Sequence, residues 1–333
     1  MRKQILYLLL TAFYCLLIPA CSVNKMAIKA VSDALTKDGS SAVFTSDSDP
    51  QLVGDALPFA IKMYESLLGA NPQHQGLLKT TGSLYVMYAN AFVQKPAEQL
   101  PRELYIERQT AMERAGMLYL RGLELLYRGL ELKYPGFEGA FKSNDPYGGA
   151  PYAASYGALL KMKKEDVPSL YWAAAGGISA YSLDPLNPGL GLRINEFLAL
   201  VNRAYELDPD FNSGALDDFL LLFYASVPEM MGGDKARAEM HFKMALEKSR
   251  GLLASPYVSY AQAVSIPGQD YATFKAYLDA ALAIDPDADP GNRLVNIISQ
   301  KKARYLLDSA ELFFFGIGSN DEWDDEYWND EDW

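Results

Sequence analysis

Cysteine and histidine are nearly missing, with two of each in 333 residues. Cys15 and Cys21 both lie at the start of the chain, inside or at the edge of an N-terminal leader. Once that leader is removed only Cys21 remains, so no disulfide can form within one chain and the fold must rest on its core. His74 and His241 are too few and too far apart in sequence for a metal cluster, and each reads as a solvated or core-edge histidine. Neither a Gly-x-Ser-x-Gly nucleophile elbow nor a phosphate loop is present. Gly176-Gly177-Ile178-Ser179-Ala180 lies inside a helical stretch and makes no elbow. Asp217 and Asp218 are neighbours on a helix and point in different directions, which makes a poor acid–base pair. What is left to an enzyme reading is a scattered, glycosidase-like pair of carboxylates. Basic residues are in deficit, 30 against 42 acids, for a net charge of −12. A nucleic-acid partner wants a basic face and is not expected. No period-two strand pattern is found either.

What the chain does have begins at its start. Arg2 and Lys3 precede an apolar run, Ile5 to Ile18, that is too short for a comfortable membrane span. Ile18-Pro19-Ala20-Cys21 then resembles a bacterial lipobox. Residues 1–20 read as a lipoprotein signal peptide, with cleavage before Cys21 and lipid on the Cys21 thiol. Pro19 departs from the usual small residue, and an ordinary secretory signal with an incidental cysteine is the other reading. Acyl chains hold a protein to a bilayer through their buried methylenes. The body is thus expected on the periplasmic side of a bacterial membrane, inner or outer. Residues 21–49 form the lipidated N-terminus and tether: an amphipathic helix over 22–37, then a Ser-, Asp- and Gly-rich loop over 38–49.

From Pro50 the pattern is helical throughout. Apolar spacing predicts helices near 51–70, 74–94, 102–133, 151–164, 167–182, 190–207, 213–227, 234–250, 256–265, 270–285 and 290–315. The stretch 216–248 shows the unit. Leu216, Phe219, Leu220, Phe223 and Tyr224 share one helical face; Pro228 and Gly232-Gly233 interrupt; Asp234 is placed to cap the next helix, which carries Ala238, Phe242 and Ala245. Small, large and small at those offsets is the second-helix pattern of a tetratricopeptide repeat, and such a hairpin needs stacked neighbours. Leu67, Leu130, Ala204 and Ala281 each stand five residues before a proline (Pro72, Pro135, Pro209, Pro286) that ends a helix. The prolines are 63, 74 and 77 residues apart. These are not multiples of the repeat length of about 34, so the repeats are degenerate. Residues 50–315 are expected to be an all-α domain of tetratricopeptide-like hairpins stacked into a solenoid.

Two stretches stand apart. Phe141 to Pro151 is irregular and reads as a loop over a binding surface or as a plain connector. Residues 316–333 form an acidic, Trp-rich tail expected to be disordered; Asn320 to Trp333 hold eight acids and three of the four tryptophans. Without that end, residues 22–319 carry a net charge of only −6. Trp323, Trp328 and Trp333 between acids suit docking on a basic, apolar partner surface, or serve solubility alone. Tyr85, Tyr88 and Phe92 fall on one helical face, and Trp172, Ile178 and Tyr181 roughly on another. Such stripes are core or the lining of a concavity, which would suit an apolar ligand.

Four motifs in order resemble one family. Val167-Pro168-Ser169-Leu170-Tyr171-Trp172-Ala173-Ala174-Ala175-Gly176 is similar to the Leu-Tyr-Trp helix of TRAP transporter T-component proteins, the TatT family. Pro228-Glu229-Met230-Met231-Gly232-Gly233-Asp234, followed by Ala238 and Phe242, resembles its Pro-x-Met-Gly-Gly turn. Tyr257-Val258 and Asp285-Pro286-Asp287-Ala288-Asp289-Pro290, then Arg293-Leu294, Asn296 and Arg304 to Leu307, continue it. The resemblance covers roughly residues 50–315 and leaves out the tail. It implies a non-catalytic periplasmic lipoprotein of cryptic tetratricopeptide repeats. It further implies a homotrimer that pairs with the substrate-binding P subunit of a TRAP transporter, and an apolar-lined pore in each protomer for a hydrophobic ligand. No cofactor or metal is implied. Tyr171, Trp172, Tyr181, Tyr85, Tyr88 and Phe92 are the expected pore-lining residues; Trp172, large and with a polar nitrogen, is either that or a core anchor. A repeat lipoprotein that scaffolds outer-membrane assembly is the alternative.

Overall fold

Several helix starts in this chain are set by side chains that accept the free amides of a first turn. In the computed structural model, which describes residues 26–37, 39, 42–142 and 157–317, Asp49 accepts from Gln51 N and Leu52 N at 2.9 and 3.1 Å and opens α2, Pro50–Ala70. His74 Nδ1 does the same for Leu77 N at the head of α3, Gln75–Tyr88. Asp234 accepts from Arg237 N at the head of α8, as its position in the sequence suggests, and Asp270 from Thr273 N at the head of α10. Caps of this kind each stabilise a helix by about 1 kcal/mol. The order is α1 (26–35), α2, α3, α4 (Tyr105–Lys133), α5 (Val167–Leu183), α6 (Ile194–Leu207), α7 (Ala215–Ser226), α8 (Lys235–Lys248), α9 (Ser255–Tyr260), α10 (Tyr271–Ala283) and α11 (Arg293–Asp308), with short unlabelled helices at Ala42–Thr45, Phe137–Lys142 and Pro188–Gly191 and turns between them. Two helices run on through π-turns: α3 through Ala89–Gln94 to Lys95–Glu98, and α9 through Ala261–Ser265. Among the described residues the protein is all-α.

The helices alternate in role. Leaving aside α1, the odd-numbered ones contact one another in sequence: α3 packs on α5, α7 on α9, and α9 on α11. Tyr171 of α5 meets Phe219 of α7 at 6.5 Å between ring centres. Even-numbered helices wedge between successive odd ones, α4 between α3 and α5, α8 between α7 and α9, α10 between α9 and α11. The prolines noted above follow the ends of α2, α4, α6 and α10, all of them wedging helices. Finally α11 returns to the beginning. Lys302 Nζ donates to Glu98 Oε2 at 2.8 Å, Tyr305 Oη donates to the Glu98 carbonyl, and Arg293 Nη1 donates to the Ser46 carbonyl. Leu294 joins the core of Val53, Leu57, Ile61 and Tyr64 on α2. The odd helices thus make a closed circuit.

Packing follows small residues. Ala238, Phe242 and Ala245 of α8 are all buried. Gly214, at φ +95°, opens α7 so close to α8 that a Cβ there would lie 3.2 Å from Ala245 Cα. The crossing of α3 and α4 is tighter. A Cβ on Gly122 would sit 2.8 Å from the Gly82 carbonyl oxygen, and one on Gly82 would sit 2.9 Å from the Gly122 oxygen. Two backbones touch there, with no room for a side chain on either.

One predicted element differs. A helix over 151–164 is expected from spacing, but the described part holds only a helical turn at 157–159 and a 3₁₀ turn, Lys164–Asp166. The reason is Arg203 on α6, whose guanidinium takes the carbonyls of Leu159, Leu160 and Met162, the acceptors a continuing helix would need. The signal segment 1–20, most of the Phe141–Pro151 stretch and the tail from 318 onward lie outside the described residues.

Gly122→Val is expected to lower stability by about 2–3 kcal/mol through overpacking. Gly116→Ala on the same helix, where a Cβ would meet nothing within 4 Å, is expected to raise stability by up to about 1 kcal/mol. Denaturant unfolding followed by circular dichroism checks both. A Gly122→Val protein as stable as the parent would refute the close crossing.

Candidate functional site

Inside the circuit lie side chains that the alternating pattern turns inward. Tyr171 and Trp172 stand side by side on α5 at 5.1 Å between rings, and Tyr171 also meets Phe211 at 5.4 Å and Phe219 of α7. Lys95 at the end of α3 and Asp218 on α7 are within electrostatic range of each other, as are Tyr171 and Asp218. Lys95, Asp218 and Tyr171 are each half-buried.

Electrostatics differ sharply among the charges here. Lys302 is only 5% exposed but is paired with Glu98, whose other oxygen accepts from Gln94 Nε2. Burial holds the Lys95 ammonium below the ordinary lysine range, against the pull of Glu98 and Asp218. Among the described residues no hydrogen bond or ion pair reaches it. Burial also pushes the Asp218 carboxyl up, although the Ser259 and Ser255 hydroxyls and the Lys95 charge favour its ionised form. Asp218 Oδ1 is buried and has no hydrogen-bond partner among the described residues. The Tyr171 phenol is raised by burial and then by the charge of Asp218.

The adjacent Asp217 faces the other way. Its Oδ1 is 2.8 Å from His241 Nδ1 and its Oδ2 accepts from Lys248 Nζ at 2.6 Å, while Tyr224 stacks on the imidazole. This buried group ties α7 to α8, so His241 is a structural residue at the core edge. His74 is likewise structural, capping α3 and meeting Asp33 of α1 at 2.9 Å. Among the described residues no group of three or more His, Cys, Asp and Glu converges as metal ligands would.

The six aromatics expected to line a pore do not gather in one place. Tyr171 and Trp172 do lie together at the interior. Tyr85 is buried, its hydroxyl donating to Glu65 Oε1 at 2.7 Å and Arg121 lying over its ring. Tyr88 stacks with Phe92 and takes Arg114 over its ring, and the Phe92 ring covers Gly54 of α2. These three belong to the wall between α2, α3 and α4. Tyr181 sits beside Gly191, at the far end of α5. Spacing tells which residues share a face, but not whether that face meets another helix or the interior. The tail residues Trp323, Trp328 and Trp333, and the lipidation residue Cys21, fall outside the described residues.

Lys95 and Asp218 carry the site's charge; the sequence singles out Asp218 only as half of a poor acid–base pair with Asp217, and Lys95 not at all. Asp218 left a trace, since two acids in the apolar run Leu216 to Tyr224 need two separate reasons. Lys95 left none. It follows the π-turn, whose extra residue shifts everything after it by roughly 100° around the axis.

These elements define an all-α protein of helical hairpins closed around an interior. The chain belongs to the TRAP transporter T-component family, whose model matches residues 46–314. An uncharacterized protein of Treponema pallidum (strain Nichols) is 36% identical over 312 residues, spanning 90% of this chain and 95% of that one. The chain is therefore an accessory component of a TRAP transporter system. Among the described residues no helix is long and apolar enough to cross a membrane.

Replacing the two adjacent acids is expected to have opposite effects. Asp217→Ala removes the fully buried acceptor of Lys248 and partner of His241 and should cost about 1–3 kcal/mol. Asp218 has a raised folded pKa, so its protonated form favours folding; that stability is full below the unfolded value near 4 and is lost as pH rises through the folded value. Asp218→Asn removes this loss. It should be more stable than the parent at pH 7, with the margin shrinking toward pH 4, as urea titrations at several pH values will show.

Proposed function

We propose that this protein is the T component that holds the substrate-binding P subunit of a TRAP transporter near the membrane and passes an apolar ligand through its interior. Family membership over residues 46–314 carries the reading. Tyr171, Trp172, Phe211 and Phe219 supply an apolar surface suited to such a ligand. The alternation of wedging and circuit helices, with Ala238, Phe242 and Ala245 buried at a hairpin, supports a tetratricopeptide-like origin for the repeats. In this reading Cys21 carries the lipid, the body lies on the periplasmic side, the protomers associate as a trimer, and no step is catalytic. The tail tryptophans Trp323, Trp328 and Trp333 offer a docking segment to the P subunit.

Native mass spectrometry of residues 22–333 in periplasmic extract tests the assembly. The expected result is a trimer that captures a periplasmic substrate-binding protein. A monomer that captures nothing, or one that brings down outer-membrane assembly factors, overturns the reading. Cys21→Ala should move the full chain from the membrane to the soluble fraction; persistence in the membrane fraction would remove the lipid anchor from the account.

A further inference from the structure

Among the described residues two ionisable groups of the interior make no ion pair. Glu98 and Lys302 neutralise each other across the closure. Asp217 is taken up by His241 and Lys248 on the other side of α7. Lys95 and Asp218 remain. Asp218 has two hydroxyls, Ser255 and Ser259, against its carboxylate. Lys95 has no hydrogen-bonding or ionic partner among the described residues, and its stem emerges from a π-turn, a feature often found at functional sites. An unpaired cation kept in a protein interior is costly unless something pairs with it. A few residues away in space, through Asp218, stand the aromatic rings of Tyr171 and its neighbours.

We propose that the space beside Lys95 and Tyr171 is a site for an apolar monocarboxylate, whose carboxylate pairs with the Lys95 ammonium and whose apolar body lies against Tyr171, Trp172, Phe211 and Phe219. Asp218 completes the head-group end. Its Oδ1, buried without a hydrogen-bond partner among the described residues, can donate a hydrogen bond to a carboxylate oxygen when the acid is protonated. Two negative groups beside one lysine would otherwise repel, so a protonated Asp218 is the form that fits an anionic ligand. A cationic ligand fits badly: it would face an unpaired lysine at close range. A neutral apolar ligand would leave Lys95 unpaired. The chemistry is shared by a fatty acid released from membrane lipid and by a short branched or aromatic organic acid, and chain length separates the two. This inference deepens the reading of an apolar ligand given above and adds to it the charge of the head group.

The test uses residues 22–333 and isothermal titration calorimetry with four probes: octanoate, palmitate, phenylacetate and 1-octanol. Octanol matches octanoate in length but is uncharged. The expected result is that at least one carboxylate binds at least tenfold more tightly than octanol. Palmitate leading points to a lipid source and phenylacetate to a short organic acid. Lys95→Met should weaken that carboxylate by tenfold or more and leave octanol unchanged, and Lys95→Arg should restore the preference. Because Lys95→Met removes an unpaired buried cation, its melting temperature should not fall, which separates lost binding from lost folding. Equal binding of octanol and the carboxylates, or a preference that survives in Lys95→Met, overturns the proposal while an apolar ligand still stands. No binding of any probe overturns both.

Discussion

The structure depends on one closure, the return of α11 to the end of α3 and to α2. Without it the circuit helices would be an open stack with two free ends. The contacts that make it are few: the buried Lys302–Glu98 pair, Tyr305 on the Glu98 carbonyl, Arg293 on the Ser46 carbonyl and Leu294 in the α2 core. They join residues as much as 247 apart in sequence. Chain length is not the obstacle it first suggests, because closure entropy grows only with the logarithm of loop length, about 0.6 kcal/mol for each doubling. Moreover, most of the intervening chain is ordered by neighbouring hairpins. A buried ion pair adds little net stability by itself. Its value here is register, since one lysine and one glutamate on opposite sides of the closure fix where α11 lands.

Closure decides what kind of interior the protein has. Enclosed by helices, a charge exchanges water for the small dipoles of serine hydroxyls and peptide groups. Electrostatic differences that would be slight on a surface become large. Hence the separation of fates among acids that sit near each other in sequence. Asp217 has a histidine and a lysine; Asp218 has two hydroxyls and a buried oxygen without a hydrogen-bond partner among the described residues. Hence also the contrast between two lysines: Lys302 is paired with Glu98, while Lys95 has no hydrogen bond or ion pair among the described residues and feels Glu98 and Asp218 only at longer range.

Much of this fold was legible in the sequence, and its signals were local ones. Prolines five residues after Leu67, Leu130, Ala204 and Ala281 mark ends of wedging helices because a proline lacks the amide a helix needs. Ala238, Phe242 and Ala245 are small and large where a neighbour comes close, and Asp234 caps the helix it precedes. What was not legible came from long-range partners. The turn after residue 159 is set by Arg203, more than forty residues on. The closure is set by a lysine and a glutamate 204 residues apart. The site suffered most. Helical spacing placed Tyr85, Tyr88 and Phe92 on one face correctly, yet that face meets α2 and α4, and the residue that carries the interior charge lies beyond a π-turn that spacing cannot register.

The same reasoning bears on why an apolar interior should keep a lysine. Apolar contact alone discriminates weakly, since a methylene more or less is worth about 1–3 kcal/mol. Two apolar molecules of similar size would fill the space beside Tyr171 and Trp172 about equally well. A desolvated cation changes the comparison, because a ligand that leaves it unpaired forfeits the cost already incurred in burying it. Selectivity then comes from what the wrong ligand fails to satisfy rather than from extra contacts to the right one. In a transport accessory the arrangement has a further consequence. Under the proposed monocarboxylate site, affinity for the head group is set at one position, Lys95, while the aromatic wall stays tolerant of different apolar bodies, so the class of solute is fixed without fixing its exact shape.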